Sequence, residues 1–465
     1  MSILTQTAYG LIANIRRKQL SVKELVKSTI TRIRDINPQV NAIVSLRDEK
    51  DILADAVKAD FVPMENRGVL HGIPIAIKDL ANAEGLVTTE GSLIYADRIA
   101  EKDDIFVKRI RDAGAIIIGK TNTPEFGLGS HTFNSVFGIT RNPFDLSRSS
   151  GGSSGGAAVS LATGMLSIAD GSDMMGSLRN PAAWNNVYGM RPTWGLVQSE
   201  NSGNSFLHSL STSGPMARNP TDVALLLSVM SATGPKIPVT FNNNKRRFTL
   251  QAADVVGKRV GWLRDFTEGL AFDSNLLELS EFAVKKFEDI GATVDLAQSE
   301  YSIDLLWESW TRLRSQILST SYAHLLLDAD LSKLLKPEVA WEIERGQSLS
   351  EEDILEANNI RSDWYSTTDE LFKNFDFLAL PSTQVWPFTA HERHPTEIRG
   401  VQMDTYHRWM EIVIPASLIG LPVLNVPAGF GPGGLPFGLQ LIGPKNSDYQ
   451  LISIGQAWHE MKNWP

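Results

Sequence analysis

The sequence predicts an α/β fold, an α/β/α sandwich in which a large mixed, mainly parallel central sheet is covered by helices on both faces. Apolar runs of strand length alternate along the chain with segments of helical spacing, the pattern of strands joined by crossover helices. The 465 residues are enough to bury one large core. The composition, 42% hydrophobic and 21% charged, is that of an ordinary globular chain rather than a disordered or fibrous one.

Taken in order, residues 20–37, "LSVKELVKSTITRIRDIN", read as a helix. Ser21 and Glu24 have the spacing of a capping box, and Val22, Leu25, Val26, Ile30 and Ile33 recur at helical intervals. "GIPIAIKDL" (72–80) reads as a buried strand, "DIFVKRIRDAG" (104–114) as a helix stopped by Gly114, and "AIIIG" (115–119) as a second strand. "GGAAVSLATGM" (155–165) is a helix of small residues that lets neighbours approach closely. Further strands are expected at "RVGWL" (259–263), "TVDLA" (293–297), "DFLALP" (376–381), "PVLNVPA" (422–428) and "FGLQLIG" (437–443), with a helix over 275–290 ended by Gly291. Residues 234–255 break the alternation and read as a surface excursion. Residues 302–372 are long, helical and rich in aromatics and charge, and are expected to form a lid or subdomain inserted in a single domain that spans 1–465. There Trp307, Trp310, Tyr322, Trp341 and Trp364 are expected mainly to pack the interior, with the segment shaping the distal part of a pocket.

The net charge of 44 − 53 = −9 argues against nucleic acid or an anionic membrane as the main partner. The chain has no cysteine, which rules out disulfides, thiolate nucleophiles and cysteine-ligated metal centres within it. The first 24 residues lack the basic-then-apolar order of a signal peptide, and no apolar run approaches ~18 residues, so a cytoplasmic protein is expected.

Several short motifs compete. "GAIIIGKT" (114–121) matches a phosphate-binding loop, but three isoleucines fill the place of the flexible loop, so the motif is expected to be a core strand with Lys120 at its exposed end. "GSSGG" (152–156) matches a nucleophile elbow with Ser154 as the nucleophile, but the turn-rich "NPFDLSRSS" precedes it where a strand is required. "HERH" (391–394) is a weak metal signal and reads as a loop at Pro395. The stretch "GGSSGGAAVSLATGMLSIADGSDMMGSLRNP" (151–181) carries a serine–glycine cluster at each end, and glycines of this density mark backbone that must come close to something. Lys78 closes the apolar run "GIPIAIK", where burial can keep a lysine neutral. With no histidine nearby, a Ser–Lys arrangement for acyl transfer becomes plausible.

The chain resembles the amidase signature family. The resemblance runs through "HGIPIAIKDL", "GKTNTPEFG", "TRNPFDLSRSSGGSSGG" and "GSLRNPAAWNNVYGMRPTWGLV", and resumes at "GLPVLNVPAGF" and "GLPFGLQLIGP". It implies a lysine, a bridging serine preceded by a cis peptide bond, and a nucleophilic serine: Lys78, Ser153 and Ser177, at separations of 153 − 78 = 75 and 177 − 153 = 24. It further implies an oxyanion hole from the amides of Met174, Met175, Gly176 and Ser177, and a pocket wall at Gly127, Leu128 and Gly129. The expected reaction is hydrolysis of a small-molecule carboxylic amide through a Ser177 acyl-enzyme, with no cofactor and no metal; self-association is left open. The alternatives are a glutaminase-type component of an amidotransferase complex and a non-catalytic binding protein. One position departs from many relatives, which carry glycine where this chain has Met175. Methionine avoids positive φ, so two outcomes are open: the side chain projects towards the substrate and narrows the pocket, or, as favoured, it turns into the protein while the amide still faces the oxyanion.

Overall fold

The computed structural model describes residues 3–198, 209–231 and 251–461. The helix Val22–Val40 begins as its sequence dictates. Ser21 Oγ accepts the Glu24 amide at 3.1 Å while the Glu24 carboxylate accepts the Ser21 amide at 2.9 Å. Its apolar stripe, Val22, Leu25, Val26, Ile30 and Ile33, is buried.

Two sheets frame the site. The smaller has the strand Ile116–Thr121 at its centre, antiparallel to Ile43–Val44 and parallel to Pro74–Lys78, so that Lys78 is the last residue of its strand. Lys120 lies inside the protein, not at an exposed end. Its Nζ donates to the Ala81 carbonyl and to Thr88 Oγ1 (3.2 Å), and Asp79 lies 3.8 Å away as a buried counter-charge. The larger sheet has eight strands in the order 293–296, 259–262, 377–381, 436–442, 423–430, 188–191, 212–217, 168–173. Every residue of Phe377–Pro381 and Pro436–Ile442 is buried. Side chains alternate between faces, so both faces of the sheet are covered there.

The sheet is mixed as expected, but antiparallel pairs dominate it. Only 259–262 pairs in parallel, with 293–296 on one side and 377–381 on the other. The other five pairings are antiparallel. Two causes act: 423–430 and 436–442 form a hairpin, and three strands that the sequence hides, Ile168–Asp173, Tyr188–Arg191 and Thr212–Ala217, pair antiparallel at one edge.

The helix expected over 275–290 is α-helical over Leu276–Val284 and tightens to a 3-10 helix over Lys285–Ile290 before Gly291 at φ 92°. Of the surface excursion, residues 234–250 lie outside the described residues. Residues 302–372 form three helices, Ile303–Leu327, Pro337–Ser348 and Glu351–Asn374. The first two cover the 126–128 loop through a small cluster of Phe126, Leu128, Leu318, Leu325, Val339 and Ile343. Among the described residues no helix is long and apolar enough to cross a membrane.

Candidate active site

Lys78 is 1% exposed. Its Nζ lies 2.7 Å from Ser153 Oγ, 2.9 Å from Ser154 Oγ, 3.0 Å from Ser172 Oγ and 3.4 Å from the Ser172 carbonyl. Burial lowers its pKa from 10.5 to about 7, against the opposing pull of Asp170 and Asp173. Asp170 itself accepts the Lys78 backbone amide at 3.1 Å, and burial raises its pKa to about 6. Among the described residues Nζ therefore has no charge partner in direct contact, only hydroxyls and a carbonyl.

Ser153 follows a cis peptide bond from Gly152, as the resemblance implies. The 130–132 loop holds this turn. Ser130 Oγ donates to the Gly152 carbonyl, while the Thr132 amide and hydroxyl donate to the Gly151 carbonyl at 3.1 and 2.8 Å. A Cβ on Gly152 would come within 3.0 Å of the His131 amide nitrogen, so a side chain there would crowd the loop. Ser154 is fully buried behind Ser153, with its Oγ on Lys78, and is absent from the cavity wall.

The second cluster is built on Asp173, the last residue of its strand. Its carboxylate accepts the Gly176 amide (2.9 Å), the Leu178 amide (3.0 Å), Arg179 Nε and Nη2 (3.0 Å each) and Arg191 Nη1 (3.2 Å). Arg179 and Arg191 hold the carboxyl well below the usual carboxylate range despite its burial. This corrects the oxyanion assignment. The Gly176 amide is engaged by Asp173, whereas the amides of Met174, Met175 and Ser177 donate no protein hydrogen bond among the described residues. Asn180 Nδ2 donates to Ser130 Oγ at 3.0 Å, tying this loop to the loop that holds Ser153.

Ser153, Ser177, Gly127, Leu128, Gly129, Met174 and Met175 line one cavity, so the sequence-named residues converge. Met175 is 3% exposed and packs into the main apolar core without adopting positive φ. Gly176 takes the positive φ, 81°. The residues that sequence reasoning missed are Asp173 with its two arginines, the 130–132 clamp, and Arg314 and Leu318 of the covering helix, which also line the cavity. The aspartate and Arg179 flank Ser177 in sequence, so a polar pair around that serine was their available signal. Arg314 had none. The aromatics Trp307, Trp310 and Trp364 of the cover are interior packing. "HERH" lies in turns, and no group of histidines and carboxylates among the described residues is placed to hold a metal.

Comparison with known proteins agrees with this geometry. A family model described as Amidase matches residues 24–452. A glutamyl-tRNA(Gln) amidotransferase subunit of Saccharolobus solfataricus is 32% identical over 466 residues, covering 96% of this chain and 94% of that protein. An acylamidase of Rhodococcus erythropolis is 30% identical over 463 residues, covering 98% and 96%. The solved structure of a bacterial aryl acylamidase of the amidase signature enzymes superposes with a TM-score of 0.90 at 27% identity, covering 99% of this chain and 96% of the other.

Proposed function

The chain belongs to the amidase family, an amide-hydrolysing enzyme family, and from that premise we propose that Ser177 is its nucleophile, with Ser153 and neutral Lys78 as the proton relay. The observation that carries this reading is the environment of Lys78 Nζ: buried, with its pKa lowered to about 7 so that the neutral form is well populated at pH 7, and 2.7 Å from a serine that shares a cavity with Ser177. A neutral amine has one lone pair and two N–H groups. The lone pair accepts the Ser153 hydroxyl proton, and the two N–H groups are satisfied by Ser154 and Ser172.

Ser153 takes the proton of Ser177 as it gives its own to Lys78, and Ser177 Oγ bonds to the amide carbonyl carbon. The amides of Met174, Met175 and Ser177 receive the oxygen as it becomes an oxyanion, each donor worth roughly 3–4 kcal/mol in comparable sites. The carbon–nitrogen bond then breaks, and the nitrogen leaves with the proton returned through Ser153. Water adds to the acyl-enzyme, its proton passes into the same relay, and the acid departs as Ser177 recovers its hydrogen. Gly127, Leu128 and Gly129 form the wall against the acyl group.

An activated aryl ester tests this scheme. Rapid acylation should release a burst of phenol near one equivalent per chain, and Ser177→Ala should abolish the burst while leaving the fold unchanged. A retained burst in that variant would remove Ser177 from the role. Relatives described as glutamyl-tRNA(Gln) amidotransferase subunits favour a second reading, in which the chain works inside a complex. The purified chain should turn over an aryl amide unaided. Activity that requires a co-purifying protein would move the assignment to that second reading.

A further inference from the structure

Arg314, on the helix Ile303–Leu327, is 3% exposed and lines the cavity of Ser153 and Ser177. Its Nε donates to Glu342 Oε1 at 2.7 Å, and its Nη2 donates to the Tyr406 hydroxyl at 2.8 Å. Tyr406 in turn donates to Glu342 Oε1 at 2.7 Å, and Ser315 donates to Glu342 Oε2 at 2.6 Å. Neither Glu342 nor Tyr406 is part of the cavity wall, so this network fixes the guanidinium from outside it. Among the described residues the remaining nitrogen, Nη1, meets only Met174 Sδ, at 3.3 Å. A thioether is a weak acceptor, and Met174 is itself a wall residue.

Among the described residues that line the cavity, Arg314 is the one ionisable side chain; serines, glycines and apolar groups make up the rest. A second cation stands at the same wall. Lys336 Nζ donates to the carbonyl of Leu128 at 3.0 Å and would lie 3.7 Å from a Cβ on Gly129. A buried guanidinium N–H without a full acceptor is costly, and a carboxylate oxygen is the acceptor that matches it best. We propose that the amide hydrolysed here carries a carboxylate, which Arg314 receives through Nη1. The proposal rests on the assignment of this cavity as the amide site. Glu342 and Tyr406 keep the fork in place, so the guanidinium is preorganised before substrate enters.

Two isosteric pairs test this on the purified chain: glutaryl against valeryl 4-nitroanilide, with the charge on the acyl arm, and valeryl amides of 4-aminobenzoate against 4-aminobenzamide, with the charge on the amine arm. One pair should favour its carboxylate member in kcat/KM by roughly 10- to 100-fold, the worth of one charge-assisted hydrogen bond, with the difference mainly in KM. Arg314→Gln should erase that preference. Preference for the neutral member in both pairs, or a preference that survives Arg314→Gln, overturns the proposal. A readout on the unaltered chain guards against a variant that misfolds. Glutarate should slow fluorophosphonate labelling of Ser177 more than glutaramide does, and equal effects count against the site. Protection by glutarate with no anilide turned over would speak against the hydrolytic assignment while supporting the carboxylate site.

Discussion

Burial brings the pKa of Lys78 close to that of an ordinary histidine. An ordinary lysine is protonated below about pH 10 and cannot accept a proton at neutral pH. Here the folded group titrates at about 7. The profile of kcat/KM should therefore rise with pH across about 7 and reach a plateau, a single limb set by Lys78. Lys78→Ala should remove the limb and cost roughly 10²–10⁴-fold in rate. A variant that kept the limb would place the titrating group elsewhere. Stability follows the same sign. Between the folded value near 7 and the unfolded 10.5 the unfolded chain holds the extra proton, so the cost of burying this lysine falls as pH rises through that window and is full below it. Met175 carries the other residue-scale prediction. Its side chain is core, and Gly176 supplies the positive φ the loop needs. Met175→Gly should destabilise by about 2–5 kcal/mol, as deletion of a buried apolar side chain does, and should gain no activity. A thermal melt with an assay on a bulky amide checks both halves; a more active variant would mean that the methionine had narrowed the pocket.

At the scale of elements, the cover sits where one close contact puts it. A Cβ on Gly346 would meet the Ser315 carbonyl oxygen at 2.2 Å, so the helices Ile303–Leu327 and Pro337–Ser348 touch through backbone there. Gly346→Ala should push them apart at a cost of about 1–3 kcal/mol and loosen the Arg314–Glu342 pair, raising KM more than it lowers kcat. Unchanged KM with a lowered melting temperature would separate the cover from substrate recognition. The same scale shows what the sequence could and could not reveal. Strands such as Pro436–Ile442 announce themselves as apolar runs. Ile168–Asp173 reads "IADGSD" and Thr212–Ala217 reads "TSGPMA", small and polar residues that local propensity assigns to loops. They are strands because partners on the sheet satisfy their backbones, and that long-range pairing leaves no local signature. Missing them also hid the antiparallel half of the sheet. That Lys78, Ser153 and Ser177 meet, by contrast, was legible, because they sit in motifs whose spacing is itself distinctive. The Gly176 amide was misassigned because its partner, Asp173, is engaged through the fold of the loop rather than through spacing.

Over the whole molecule, three separate parts converge on one site. The small sheet delivers Lys78, the clamped turn after Gly152 delivers Ser153, and the edge strand Ile168–Asp173 delivers the loop of Ser177. The helices of 303–348 close over them with Arg314 and Leu318. In this arrangement Ser177 lines the cavity, while Ser154 is buried with its Oγ on Lys78; Ser177 is the serine proposed to react. Peptide mass mapping after treatment with a fluorophosphonate tests that claim most directly. A single added mass is expected on the peptide carrying Ser177, strongly reduced in Lys78→Ala. Labelling of Ser154 instead, or labelling of Ser177 at an undiminished rate without Lys78, would contradict it.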